Sequence, residues 1–345
     1  MAEQKNAAAP EADVAVSSRV RLARNIGSFP FPARMDKEQS LKVIELVRDS
    51  VFKSSDAMAK NLIFLDIQKL NPIDRQVLVE KHLISPDLTN GELDRAAIIS
   101  KDEIISIMIN EEDHVRLQCI YPGMQLESAW QLCRKLDLLM EQELEFAYDK
   151  NGGYLTCCPT NIGTGIRASV MLHLPALSMT GYIKGVLEAC GKLGLAVRGI
   201  YGENSEASGN MFQISNQVTL GQTEEEIIAS IDSITGQVIG QERMLRNELY
   251  KQSAARFEDR IYRSLGILSN ARIISSEESL RLLSDVRLGV DMKIIGGITA
   301  GTLNEIMFLI QPAILQKLAG KMLAPDERDV RRADLIRNSL SAKIQ

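Results

Sequence analysis

Histidine is scarce in this chain of 345 residues: it has only His82, His114 and His173. A Ser-His-Asp triad or a histidine-rich zinc site therefore has little to draw on. There is no H-E-x-x-H, no C-x-x-C and no G-x-x-x-x-G-K-[ST], which removes the zinc-protease, thiol-redox and P-loop patterns. Five cysteines, two of them adjacent, do not make a disulfide framework and point to a reducing cytosol. The longest apolar stretch, Ile294 to Ile310, contains Asn304 and Glu305, and reads as a helix of a soluble domain rather than a membrane span. Met1 to Pro10 is Ala-rich and polar, without the apolar core of a secretory signal. A net charge of −5 argues against a generic binder of nucleic acid or acidic membrane.

What is present is ordinary in bulk, 45% hydrophobic and 25% charged, in a length that suits one large domain or two smaller ones. Residues 1–15 read as a loose tail. From Val16 to about Gly221, short apolar runs ("NLIFLDI", "IISIMI", "GYLTCC", "LAVRGIYG") alternate with amphipathic stretches such as "SLKVIELVRDSVF", an α/β or α+β pattern. Beyond Gly221 the strand signals fade. Ile227, Ile231, Ile234 and Val238 recur at helical spacing, and Thr223 with Glu226 reads as a capping box. Ser275 with Glu278, and Thr302 with Glu305, repeat that signature. The last third is expected to be a helical bundle, with the boundary in 221–255.

Several stretches carry possible chemistry. "IISIMINEEDHVRLQCI", Ile104 to Ile120, has the flanks of a buried strand but Glu111, Glu112, Asp113, His114 and Arg116 in its middle; buried charge is costly unless paired or used. In "SSRVRLARN", Arg19 and Arg21 are two apart, so on a strand both guanidiniums share a face. Two such cations suit a phosphate between them, or else form a solvated basic edge. "GTGIRAS", Gly163 to Ser169, fits a loose dinucleotide form, G-x-G-x-x-A, or a tight turn before a helix. "VRGIYGENSEASGNMFQISN", Val197 to Asn216, is a Gly-rich acidic loop, either plain surface or a lid. The adjacent cysteines of "LTCCPTN" default to structural roles.

Taken in order, "SSRVRLARN", "NEEDHVRLQ", "CPTNIGTGIRAS" and "RGIYGENSEASGNMFQISN" resemble the signature segments of the phosphagen (guanidino) kinases, over roughly Val16 to Gly221. Those small-molecule kinases carry a helical domain before the first segment, whereas only 16 residues precede Ser17 here, and a helical extension follows instead. That arrangement is similar to the bacterial protein arginine kinases, and "RDVRRA", Arg328 to Ala333, matches a motif near their C-terminus. The resemblance implies an α+β fold: an antiparallel sheet flanked by helices (residues 16–245), then a helical domain (246–345) for dimerisation and phosphoarginine reading. It implies transfer of the γ-phosphoryl of ATP, with Mg²⁺, to arginine side chains of proteins. A kinase of free arginine and a nucleotide-binding pseudokinase are the alternatives.

By the same resemblance Glu112, Glu203 and Cys158 are the catalytic candidates. The nucleotide would be held by Ser18, Arg19, Val20, Arg21 and Leu22, by His82 and Arg116, by Arg167, Ala168, Ser169, Val170 and Met171, and by Arg198, Gly199, Ile200, Tyr201, Gly202 and Glu203. Histidine is common in the family where Met171 stands. Arg328, Asp329, Arg332 and Ala333 would read phosphoarginine, the two guanidiniums sharing one helix face. The family also implies a zinc-binding activator, a heat-shock repressor substrate, an AAA+ unfoldase–protease, homo-oligomers and a cytoplasmic location. Arginine's pKa lies roughly 6 units above neutrality, about 8 kcal/mol for full prior deprotonation. A carboxylate would therefore orient the guanidinium and take its proton only as the N–P bond forms.

Overall fold

A computed structural model describes residues 9–53, 60–199 and 208–341. In chain order the first part runs β1 (Ala15–Arg24), α1 (Lys37–Lys53), β2 (Leu62–Asp66), α2 (Pro72–Glu80), β3 (Ala96–Ser100), β4 (Ile105–Ile109), β5 (Val115–Pro122) and α3 (Leu126–Glu141). A short pair, β6 (Tyr148–Asp149) and β7 (Gly153–Tyr154), precedes β8 (Ile166–His173), α4 (Pro175–Thr180), α5 (Ile183–Lys192), β9 (Leu195–Gly199) and β10 (Met211–Asn216). Among the described residues the strands form an antiparallel eight-stranded sheet in the order β2-β3-β4-β5-β1-β8-β10-β9, with β6 and β7 apart.

The register sorts side chains by face, because residues opposite each other in an antiparallel pair point the same way. Arg21 pairs with Gln118 and Arg167, Arg19 with Ser169, Ser169 with Ser215, and Gln213 with Arg198. That face is polar. The opposite face carries Val20, Leu22, Leu117, Ile166, Ala168, Val170 and Ile214. They pack with Val43 and Val47 of α1, Trp130, Cys133 and Leu136 of α3, and Ile227 and Ile231 further on. Each such fully buried aliphatic side chain contributes roughly 1.5–3 kcal/mol. β1 lies at the centre of the sheet, so Arg19 and Arg21 are not on a solvated edge.

Three local expectations change. Ile104 to Ile120 is not one strand: β4 and β5 are a hairpin, Ile109 opposite Val115, and the charges occupy its turn. Asn110 starts the turn at φ 60, and its N–H bonds the His114 carbonyl at 3.0 Å. "GTGIRAS" leads into strand β8, not into a helix, and "GYLTCC" is extended only at Gly153–Tyr154. The tail is fixed from residue 9: Pro10 O accepts Met124 N at 2.8 Å, and Val14 is fully buried.

The second part is helical: α6 (Glu224–Gln252), α7 (Ala254–Asn270), α8 (Ser276–Asp291), α9 (Ala300–Leu309), α10 (Pro312–Ala319) and α11 (Pro325–Ser341). Thr223 and Glu226 form the expected capping box, and Ser275 accepts the Glu278 N–H. Thr302 does not cap; Thr299 does, accepting from Thr302 N at 3.1 Å, so Ile294 to Thr299 stand outside the helix. The division expected at 245/246 falls within α6, which continues to Gln252 and breaks at Ser253. Phe257, Ile261, Leu282, Leu283, Val286, Leu303, Ile306, Ile336 and Leu340 form a separate core. No helix among the described residues is long and apolar enough to cross a membrane.

Among the described residues, contacts join the parts on two sides. On one side Glu80, ending α2, accepts Ala313 N at 2.8 Å and Ile314 N at 3.1 Å, while Lys317 pairs Asp74 at 2.8 Å. On the other, His173 Nε2 meets Ser284 Oγ at 2.8 Å, and residues 12 and 13 offer carbonyls to Arg287 and Arg246.

Candidate active site

The polar face of β1, β5 and β8 forms the floor of a cleft lined by Arg21, Leu22, Ala23, Glu112, Arg116, Cys158, Thr160, Asn161, Gly165 and Arg167. Segments far apart in sequence thus meet at one place. The floor is strongly cationic. Burial first, then repulsion from Arg116 and Arg167, lowers the Arg19 guanidinium to about 10. Burial pushes Arg21 well down, with Arg19, Arg116 and Arg167 adding to it. Burial, with Arg198 and Arg116 nearby, also lowers Arg167. Even so lowered, guanidiniums remain protonated at neutral pH. Among the described residues Arg21 Nε and Arg167 Nε are buried without a hydrogen-bond partner. Crowded cations with orphaned donors suit a polyanion, which would satisfy charge and N–H together.

Carboxylates flank the floor. Glu111 is buried; Arg116 Nη1 reaches its two oxygens at 2.7 and 2.6 Å, and Ser85 Oγ donates at 2.5 Å. Burial raises its pKa, but Arg116 and Ser85 outweigh that and hold it below the ordinary value. Glu112 is different: burial first, then the neighbouring Asp113, raises its carboxyl, and it borders the open cleft. The turn that carries it is braced from below. Asp113 Oδ1 accepts Asn25 Nδ2 at 2.6 Å and Cys157 N at 2.7 Å, and His114 Nδ1 accepts Ile26 N at 3.0 Å.

The two cysteines diverge. The Cys158 sulfur lies 3.0 Å from Thr160 Oγ1 in the cleft wall. Burial, with Asp113 beside it, pushes the Cys157 thiol up to about 12, so it stays protonated. Arg24, 1% exposed, holds the turn before β8: Nη1 donates to Thr164 O at 2.9 Å, Nη2 pairs Asp137 at 2.7 Å, and the guanidinium stacks 3.5 Å from the Tyr154 ring centroid.

Other expected nucleotide contacts sort by face. Ser169 and Met171 share the polar face, and Arg198 joins it from β9, followed by Gly199. Val20, Leu22, Ala168 and Val170 turn their side chains into the core, each 0% exposed, so these side chains support the floor rather than touch a ligand on it; Leu22 still borders the cleft. Ser18 is committed elsewhere, donating to Gly123 O at 2.8 Å and accepting Gln125 N at 2.9 Å. His82 lies beside the floor, its carbonyl accepting Gln118 Nε2 at 2.7 Å, and desolvation, with Arg19 nearby, lowers its imidazole. Ile200, Tyr201, Gly202 and Glu203 lie outside the described residues. Sequence reasoning missed Asn25, Thr160, Asn161 and Gln213, whose Oε1 accepts Arg19 Nη2 at 3.1 Å. The alternation in "MFQISN" could have placed Gln213 on the polar face.

In α11 the two guanidiniums expected to read phosphoarginine stand in different surroundings. Arg332, 2% exposed, donates to Ile310 O at 3.2 Å and Ile274 O at 3.0 Å and pairs with Asp329, while Ala333 is core. Arg328 remains partly exposed beside Glu80.

Comparison with known proteins bears on this geometry. Residues 42–245 match the family "ATP:guanido phosphotransferase, C-terminal catalytic domain", and residues 254–345 match "Protein-arginine kinase McsB C-terminal domain". A protein-arginine kinase of Pelotomaculum thermopropionicum is 51% identical over 333 residues, 96% of this chain and 94% of that protein. One of Bacillus subtilis is 47% identical over 335 residues, 97% and 92%. Among solved structures, the duplicated taurocyamine kinase of Schistosoma mansoni aligns with a TM-score of 0.61 at 27% identity, over 68% of this chain and 33% of that one. A lombricine kinase, at 23% identity and TM-score 0.61 over 69% and 68%, shares the fold.

Proposed function

The chain belongs to the protein-arginine kinases within the ATP:guanido phosphotransferases, and we propose that the cleft described above is where it moves the γ-phosphoryl group of ATP onto protein arginine. The activity is ATP-dependent phosphorylation of a guanidino nitrogen, with proteins as substrates. One observation carries the assignment of residues: Glu112 and Cys158 border the same cleft as Arg21, Arg116 and Arg167.

Arg19, Arg21, Arg116, Arg167 and Arg198 hold the triphosphate and stabilise charge on the group in flight. Glu112 grips the substrate guanidinium in line with that group. As the N–P bond forms and the bond from the γ-phosphorus to the β,γ-bridging oxygen breaks, releasing ADP, the nitrogen gives electron density to phosphorus, its N–H grows more acidic and the proton passes to a Glu112 oxygen; the raised pKa of Glu112 favours that acceptance. Cys158, on another loop bordering the cleft, supports the guanidinium, with its sulfur beside Thr160 Oγ1. Glu203 matches the family's second carboxylate by sequence, on residues outside those described. Mg²⁺ would enter as MgATP and would offset charge on the phosphates. Ser169, Met171, His82 and Gly199 would border the nucleotide.

We assign residues 16–245 to catalysis and 246–345 to dimerisation and phosphoarginine reading. For reading, Arg328, Asp329, Arg332 and Ala333 would form the ligand site, with Arg332 also bonded to the Ile310 and Ile274 carbonyls. Family membership alone supports a cytoplasmic stress-response role with a zinc-binding activator, a heat-shock repressor and an AAA+ unfoldase–protease. Mass spectrometry under conditions that spare acid-labile N–P bonds tests the activity. Incubation with MgATP is expected to yield phosphoarginine on a protein substrate; turnover of free arginine instead would favour the small-guanidine alternative.

A further inference from the structure

Glu112 and Cys158 stand on separate loops, and a guanidinium gripped between them tolerates little play, since a misplacement of about 1 Å costs on the order of 100-fold in rate. One buried side chain touches what lies behind both. Asn25, 1% exposed, follows β1. Its Nδ2 donates to Asp113 Oδ1 at 2.6 Å and to Leu155 O at 3.1 Å, and its Oδ1 accepts His114 N at 2.9 Å. The same Asp113 oxygen accepts Cys157 N at 2.7 Å. Asp113 and His114 directly follow Glu112, and Leu155 and Cys157 lead into Cys158. The polarity of every partner is fixed: a carboxylate and a carbonyl accept, and a backbone amide donates. Only a carboxamide in this orientation satisfies all three. Neighbouring groups brace other points: Arg24 fastens Thr164, and the His114 ring faces Pro30 O.

We propose that Asn25 is a positioning residue for phosphoryl transfer, clasping the Glu112 loop to the Cys158 loop at the separation the substrate guanidinium requires. The proposal rests on the arginine-kinase reading of the cleft, and its test does not depend on that reading alone. Full-length Asn25→Ala and Asn25→Asp are compared with the parent. Alanine removes both arms; aspartate keeps the shape but sets an oxygen against Asp113 Oδ1 and Leu155 O. Three quantities are read: kcat and ATP KM on an arginine-bearing protein, the thermal unfolding midpoint, and the rate at which iodoacetamide alkylates Cys158 without nucleotide, located by mass spectrometry.

In folded variants kcat is expected to fall at least about tenfold while ATP KM stays within about twofold. The alkylation rate of Cys158 should shift by about threefold or more, because its surroundings set thiol reactivity. A merely structural role would lower the midpoint without separating kcat from KM. A parent-like kcat, or parent-like alkylation, in a folded variant overturns the proposal. If the parent fails to phosphorylate arginine, the reading of the cleft fails, and alkylation still decides whether Asn25 holds the loops. Should the alanine variant not fold, the aspartate isostere carries the test.

Discussion

At the scale of single residues, the cleft works by setting unlike neighbours apart. Glu111 and Glu112 are adjacent, yet Arg116 and Ser85 hold one below its ordinary pKa while burial and Asp113 raise the other. Of this pair, Glu112 is the one the proposed mechanism sets on substrate. Glu112→Gln should cut turnover by about 10²–10⁴-fold, the usual worth of a proton acceptor, with ATP binding unchanged by calorimetry. Near-normal turnover would remove Glu112 from the mechanism. Arg167→Ala should weaken ATP binding by roughly 1.5–3 kcal/mol, the range for hydrogen bonds to charged groups. Lysine would rescue poorly, since a point charge lacks the two-pronged donor. An unaltered ATP isotherm would sink that role. The arginine face was legible because a spacing of two needs no tertiary knowledge. Asn25 was not: its partners lie 88, 89 and 130 residues away, and a lone asparagine carries no pattern.

At the scale of elements, the sequence spoke clearly where the apolar pattern was regular, as in α1, and where a cap agreed with it, as in α6 behind Thr223. It misled where two signals overlapped. β4 and β5 are both apolar, so the turn between them resembled charges within one strand. Thr302 and Thr299 both precede a carboxylate or hydroxyl at helical spacing, and only the backbone decides which one caps. The turn before β8 was the hardest, because its shape depends on Arg24. Gly165 has φ +67, and a Cβ there would lie 2.6 Å from Arg24 Nη1. Gly165→Ala should cost about 1–3 kcal/mol of stability in denaturant titrations and depress turnover by shifting Arg167. A variant as stable and active as the parent would show that the turn yields freely.

At the scale of the whole molecule, the helical part is not an appendage. Glu80, held above its ordinary pKa by burial, closes the N-terminus of α10, and Val77 packs on Ala313 and Ile314. Glu80→Ala leaves two amide donors unmet and should cost about 1–3 kcal/mol, with faster hydrogen exchange at Ala313 and Ile314. Unchanged protection there would locate the adhesion of the two parts elsewhere. None of this was legible beforehand, because the contacts join surfaces that each look ordinary alone. The strap at residues 10–14 has a further consequence for biosynthesis. Ala12 O is bonded by Arg287, 275 residues later. At a translation rate of about 5–20 residues per second, the strap leaves the ribosome roughly 14–55 s before that partner exists. The sheet can assemble around β1 and pair Pro10 with Met124 in the meantime, but the Ala12 carbonyl gains its Arg287 donor only later, so that one bond marks a chain whose synthesis has passed α8.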